Sequence, residues 1–136
     1  MNERYSGVLI FISATAADRA TKYLALSGYE PFARNLHLNF GISFSLLERH
    51  ATLGLFAALA GAVLLGCICV KSAAFRSAPG IPLLWAGAVS NLIDRVFYGY
   101  VIDWIHVALF INLADIWLCL GGLQLLRFSL SFSSEK

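Results

Sequence analysis

The sequence predicts an all-α membrane protein, with four transmembrane helices and a small extracytoplasmic β-strand cradle at the membrane surface. Three observations carry that prediction. Hydrophobic residues make up 59% of the 136-residue chain and charged residues 13%, against roughly 45–50% and about 25% in a soluble domain. Residues 51–70 run for twenty positions without a charge; as a helix they are roughly 30 Å long, the thickness of the hydrocarbon layer. Residues 35–46 alternate apolar and polar side chains without a break.

One domain covering residues 1–136 is expected from this length. A core that small cannot absorb so much apolar surface, whereas a bilayer can. Beside 51–70, three further spans are assigned at about 5–26, 81–97 and 107–128. Each is interrupted: the first by Asp18, Arg19 and Lys22, the third by Asn91, Asp94 and Arg95, the fourth by Asn112, Asp115 and Arg127. A soluble bundle would need a charged stripe on its helices. Residues 7–17 and 116–126 offer only Ser13, Thr15 and Gln124 as polar side chains. A cleaved leader at the N-terminus competes with the first span, since Arg4 precedes an apolar run and Ala14-Thr15-Ala16 resembles a cleavage site. Four spans put both termini on one side. Arg4, Lys71, Arg76, Arg127 and Lys136 then lie on that side and Arg34 and Arg49 on the other, five against two, which predicts cytoplasmic termini. The loop 71–80 becomes cytoplasmic, and the outer loop 27–50 faces outward.

Within the outer loop, Leu36, Leu38, Phe40, Ile42, Phe44 and Leu46 share one face and Asn35, His37, Asn39, Gly41, Ser43 and Ser45 the other. A period of two is a strand. It is either a structural hairpin or an edge that receives an extended peptide. The net charge of +2, without a basic run, excludes nucleic acid as a partner. Cys67, Cys69 and Cys119 form no CxxC pair and no metal-ligand spacing, so they read as small hydrophobes and no metal site is expected.

Charge inside a bilayer costs about 2.5–3.5 kcal/mol per residue on insertion scales, yet the polar residues of the spans fall in register. Asp18, Thr21 and Lys22 share a helix face, as do Asn91, Asp94 and Arg95, and Asn112 and Asp115. Asp94 with Arg95, and Asp18 with Lys22, read as ion pairs that hold helices together. Asp103 and Asp115 have no Lys or Arg within several residues. Two close carboxylates share one proton; one member can then take a proton from water while the other donates one to a carbonyl or a leaving amine. Peptide hydrolysis needs both actions. From spacing alone, an ion or proton pathway stands level with a protease.

Five motifs in order add to this. Asp18-Arg19-Ala20-Thr21-Lys22 resembles Asp-x-x-Thr-Lys, and Asn39-Phe40-Gly41-Ile42-Ser43-Phe44 resembles Asn-x-Gly-x-x-Phe. Gly87 to Arg95 resembles Gly-x-x-x-Asn-Leu-x-Asp-Arg. Gly99-Tyr100-Val101-Ile102-Asp103-Trp104 resembles Gly-x-Val-x-Asp-Phe, and Asn112-Leu113-Ala114-Asp115 matches Asn-x-Ala-Asp. Together they resemble the lipoprotein signal peptidase (signal peptidase II) family. The resemblance implies a bacterial inner-membrane aspartic endopeptidase that cuts prolipoproteins before a diacylglyceryl-modified cysteine. It assigns catalysis to Asp103 and Asp115, substrate binding to Asn39, Gly41, Phe44, Asn91, Arg95 and Asn112, and support of the site to Asp18, Lys22 and Asp94. It implies no metal or organic cofactor, a lipid-modified peptide and membrane lipid as partners, and a single chain as the working unit.

The chain also departs from the family pattern. Ser90 and Ala86 stand where glycine is usual, Trp104 stands for Phe beside Asp103, and Ile111 for Phe before Asn112. A divergent member with a narrowed substrate range follows from these changes. Two other classes remain: a non-catalytic membrane protein that binds lipidated peptides on the same scaffold, and a small proton-coupled transporter built on Asp18, Asp94, Asp103 and Asp115.

Overall fold

A computed structural model describes residues 3–41 and 51–134. In chain order the elements are α1 (Glu3–Leu26), β1 (His37–Asn39), α2 (Ala51–Lys71), α3 (Ala73–Arg76), α4 (Ile81–Phe97), β2 (Val101–Asp103), β3 (Ile105–His106), β4 (Phe110–Ile111) and α5 (Leu113–Ser134). The chain is mostly helical with two small antiparallel sheets, β1 with β2 and β3 with β4.

Helix α4 is the hub and packs against α1, α2 and α5. Gly80 precedes it and Pro82 occupies its first turn, where a missing N–H costs nothing. At its other end Tyr98 is the C-cap and Gly99 follows at φ +79°. That left-handed turn, cheap only for glycine, redirects the chain into β2. The α4–α5 contact depends on two bare backbones. A Cβ on Gly87 would collide with the Ala114 carbonyl and lie 2.7 Å from Leu118 Cγ, and a Cβ on Gly121 would lie 2.8 Å from the Gly80 carbonyl.

The usual sorting of side chains is inverted. The fully buried side chains include Lys22, Asn112, Asp18, Asp94, Asp103 and Ser90, while Val8, Leu9, Ile12, Phe56, Val63, Leu64, Val70, Leu123 and Leu126 face outward. Water does not tolerate so large an apolar exterior; lipid requires it. Thr52–Lys71 and Leu113–Ser131 are long and apolar enough to cross a membrane, and only 11% of each window is buried inside the protein, whereas the core helix of a soluble protein is mostly buried. Helix α1 carries Asp18, Arg19 and Lys22, and α4, at 17 residues, is short.

Two boundaries differ from the sequence expectation. The last helix begins at Leu113, not near 107. Residues 105–111 form the β3–β4 hairpin instead, with Ile105 opposite Ile111 and His106 opposite Phe110. These residues have strand-forming side chains, and the cap at Asn112 starts the helix behind them. The loop 71–80 holds the short helix α3, capped by the Ser72 hydroxyl, which accepts from Phe75 N at 3.3 Å. Of the alternating segment, 37–39 form the strand, its polar side inward: Asn39 and Gly41 are buried and Leu36, Leu38 and Phe40 exposed. The remainder, 42–46, lies outside the described residues. Aromatic contacts tie the two sheets together, with Phe110 stacked on His37 and on His106 at centroid distances of 4.5 and 4.4 Å, and Trp104 edge-on to Phe32 at 4.6 Å.

Adding a methyl group by Gly87→Ala should overpack the α4–α5 contact and lower stability by about 1–3 kcal/mol, measured by denaturant titration of the purified protein. Gly122→Ala, with nothing within 4 Å of its Cβ, should be neutral. Equal stability of the two variants would show that α4 and α5 do not approach so closely.

Candidate functional site

Helix α5 starts on a reciprocal cap. Asn112 Oδ1 accepts from Asp115 N at 3.1 Å, and Asp115 Oδ2 accepts from Asn112 N at 3.2 Å. This is the geometry of a capping box, which satisfies two helix-end donors at once. It also fixes the Asp115 carboxylate. The other oxygen, Oδ1, accepts from Asn91 Nδ2 at 2.9 Å. Asn112 serves Asp103 too, because its Nδ2 donates to Asp103 Oδ1 at 2.6 Å. Asp103 Oδ2 accepts from Asn39 Nδ2 at 3.0 Å. That bond is diagonal across the β1–β2 pair, in which Asn39 faces Val101 and His37 faces Asp103. Three asparagine side chains from β1, α4 and the start of α5 therefore hold two carboxylates that lie twelve residues apart in sequence.

Burial drives the Asp103 carboxyl from its ordinary 3.8 up to about 7, and the nearby Asp115 charge pushes the same way. The amides of Asn39 and Asn112 and the Lys22 ammonium oppose the shift. Desolvation and a like charge together keep a proton on this carboxyl near neutrality.

Behind the two acids lies a buried ionic cluster. Lys22 Nζ stands 2.7 Å from Asp18 Oδ2 and 2.7 Å from Asp94 Oδ2, and donates to Asn91 Oδ1 at 2.9 Å. All three donors of the ammonium are engaged. Asp18 Oδ1 accepts from Ala114 N at 2.8 Å, and Asp94 Oδ2 accepts from Ile102 N at 3.3 Å. Each of these backbone groups belongs to the residue just before a site acid: Ala114 precedes Asp115, and Ile102 precedes Asp103. The cluster thus sets where both acids stand.

Asp94 does not pair with Arg95 as the sequence suggested. Its partners are Lys22 and Arg19 of α1. Adjacent helical residues point to different faces, so a partner had to come from another helix. Arg95 instead donates to Gly41 O at 3.1 Å and Asn91 O at 3.3 Å. Arg19 was absent from the candidate residues, although its place beside Asp18 in the first motif was a signal. Ser90, noted only as a departure, donates to Asp18 Oδ2 at 2.6 Å and so adds a bond that a glycine there cannot make. Phe44 lies outside the described residues. Among the described residues no group of three or more His, Cys, Asp or Glu side chains could hold a metal ion.

A cavity of about 350 Å³ opens at Asp115, Asn91, Arg95 and Asn39 and runs along α2 past Gly54, Ala58, Gly61 and Leu65. Its far wall is Leu84, Ala88 and Leu118. It is polar at Asp115 and apolar beyond, lined on the α2 side by small residues at helical spacing.

The sequence matches the signal peptidase (SPase) II family over residues 10–131. The chain belongs to that family. It is 36% identical to a lipoprotein signal peptidase of Dichelobacter nodosus over 91% of this chain and 93% of the relative, and 32% identical to one of Dehalococcoides mccartyi over 93% and 92%. Two solved structures, each of a bacterial membrane enzyme, superpose with TM-scores of 0.79 and 0.71 at 25% and 27% identity, covering 96% and 92% of this chain and 91% and 92% of theirs. Membership of the signal peptidase II family makes the chain a protease, and the membrane-enzyme likeness agrees with its outward-facing apolar helices.

For Asp94→Asn the geometry predicts loss of folded protein more than loss of chemistry. The exchange leaves Arg19 and Lys22 short of a buried counter-charge, at a cost of roughly 3–5 kcal/mol. Detergent-extracted yield and size-exclusion profile read this directly. Normal amounts of stable but inactive protein would contradict it.

Proposed function

We propose that this chain is an aspartic endopeptidase of the bacterial inner membrane that removes signal peptides from diacylglyceryl-modified prolipoproteins, cutting before the lipidated cysteine. The observation that carries the reading is the shared Asn112, hydrogen-bonded to Asp103 and Asp115 at once. One residue thus holds both carboxylates, Asp103 by its side-chain amide and Asp115 by its backbone N–H, and two carboxylates brought together in this way share a proton. The ionised member takes a proton from water as the water oxygen attacks the scissile carbonyl carbon. The protonated member gives its proton to the carbonyl oxygen, leaving a tetrahedral diol. Collapse of the diol breaks the C–N bond, and a carboxyl of the pair protonates the departing cysteine amine. The signal peptide leaves with a new carboxyl terminus. The proton belongs to the pair, so neither acid is the acid throughout.

The cavity supports a substrate that arrives from the bilayer. Its apolar length along α2 suits an extended or helical apolar segment, and its polar end is at Asp115 and Asn91. In this reading Arg95 and Gly41 contact the substrate, while Asn39, Asn91 and Asn112 orient the acids. Asp18, Lys22 and Asp94 support them from behind. Helices α1, α2, α4 and α5 are the four spans. Both termini are cytoplasmic, with the acids at the outer boundary where water reaches them, and one chain suffices.

Reconstitution with a diacylglyceryl-modified precursor tests the proposal. Asp103→Asn and Asp115→Asn should each lower cleavage by about a thousandfold or more, the scale of losing a general acid or base, with folding intact. Activity of the parent should fall as pH rises through about 7, where Asp103 loses its proton. Parental rates in either variant would end the two-carboxylate assignment. Binding of the precursor without any cleavage by the parent would favour a lipidated-peptide-binding protein instead.

A further inference from the structure

At the polar end of the cavity, Gly54 of α2, the Gly41 peptide and Arg95 of α4 meet. An ideal Cβ on Gly54 of α2 would lie 2.8 Å from Gly41 O and 3.3 Å from Arg95 Nε. The nearer obstacle is a backbone oxygen, which cannot swing aside as the end of a side chain does. Other glycines of α2 are unlike it: Gly61 has nothing within 4 Å, and Gly66 meets only the Trp85 ring, at 3.7 Å. Gly54 is also unlike Gly87, whose neighbours belong to a packed helix. Its neighbours are the Gly41 peptide and a guanidinium.

Gly41 transmits what happens there. Its carbonyl accepts from Arg95 Nη2 at 3.1 Å, and its N–H donates to Asn39 Oδ1 at 2.9 Å. With Oδ1 held in this way, the Asn39 amide has one orientation, Nδ2 toward Asp103 Oδ2 at 3.0 Å. A side-chain amide tied at its oxygen presents its N–H groups in a fixed direction. The line from α2 to the carboxylate is therefore Gly54, the Gly41 peptide, the Asn39 amide and Asp103, each link a contact or a hydrogen bond.

We propose that Gly54 is a positioning residue for the carboxylate pair: its missing Cβ lets the Gly41 carbonyl seat between α2 and Arg95, and that seat aims the Asn39 amide at Asp103. This role rests on the peptidase reading above and extends it to a residue of α2 that touches neither acid.

The experiment uses the full chain in lipid nanodiscs with a diacylglyceryl-modified precursor peptide. It compares the parent, Gly54→Ala, Asn39→Ala, the double variant and Gly122→Ala. Gly54→Ala should lower kcat about tenfold, the scale of losing one hydrogen bond to a charged group. It should also move the alkaline limb of the pH profile upward, because the Asn39 amide favours ionised Asp103 and its loss lets the carboxyl keep its proton longer. Packing damage alone would not move that limb. The double variant should be no slower than Asn39→Ala, since both changes remove the same bond, and Gly122→Ala should match the parent. A parental kcat and pH profile for Gly54→Ala overturns the proposal, as does an effect that simply adds to that of Asn39→Ala. A Gly54→Ala chain that fails to accumulate folded while Gly122→Ala does so normally also overturns it, because Gly54 is then a packing residue. A parent that does not cut the precursor removes the peptidase reading, and this role with it; a parent that cuts leaves the two questions separate.

Discussion

The Lys22 ammonium, enclosed between the carboxylates of Asp18 and Asp94, is the contact on which the rest of the site depends. A buried charge survives only with partners, and here the partners are shared. Asp18 and Asp94 each keep one bond for a backbone N–H, at Ala114 and Ile102. The same charge pairing that joins α1 to α4 therefore fixes the stretches that carry Asp115 and Asp103. Stability and site geometry are coupled through one nitrogen, and Arg19 and Ser90 complete the cluster.

The inversion of polarity follows from the same constraint. Helices that turn charge inward present leucine, valine and phenylalanine outward, and the described surface is apolar accordingly. Small residues then decide how closely the helices meet. Gly87 and Gly121 let α5 lie on α4, while Gly61, with nothing within 4 Å of its Cβ, leaves room along α2. The first contact is tight and the second open, so the bundle holds together on one side of α4 and keeps the cavity on the other.

Much of this was legible in the sequence because it rests on local pattern. The uncharged run at 51–70 is α2 within a residue, the alternation at 35–46 includes β1 with its polar face inward, and Asp18 with Lys22 pair along one helix face. Asn112 and Asp115, three apart, are the two halves of the cap on α5. What the sequence hid is non-local. Nothing in the order of residues shows that Asp94 reaches across to Arg19, or that Asn39 lies diagonal to Asp103 in a sheet built from segments sixty-four residues apart. Residues 107–111, the later part of the hairpin, read as helix from the sequence because hydrophobicity alone does not separate a short strand pair from the start of a span.

In the peptidase reading, Asp103 and Asp115 stand close enough for the charge on one to govern the proton on the other. Infrared titration of protein carrying isotope-labelled aspartate measures this without substrate. In the parent, the Asp103 carboxyl should lose its proton with a midpoint near about 7. In Asp115→Asn, where the like charge is gone and burial remains, the midpoint should fall while staying above the ordinary carboxylate range. An unchanged midpoint in that variant would mean that the two groups do not sense each other, and would contradict the account.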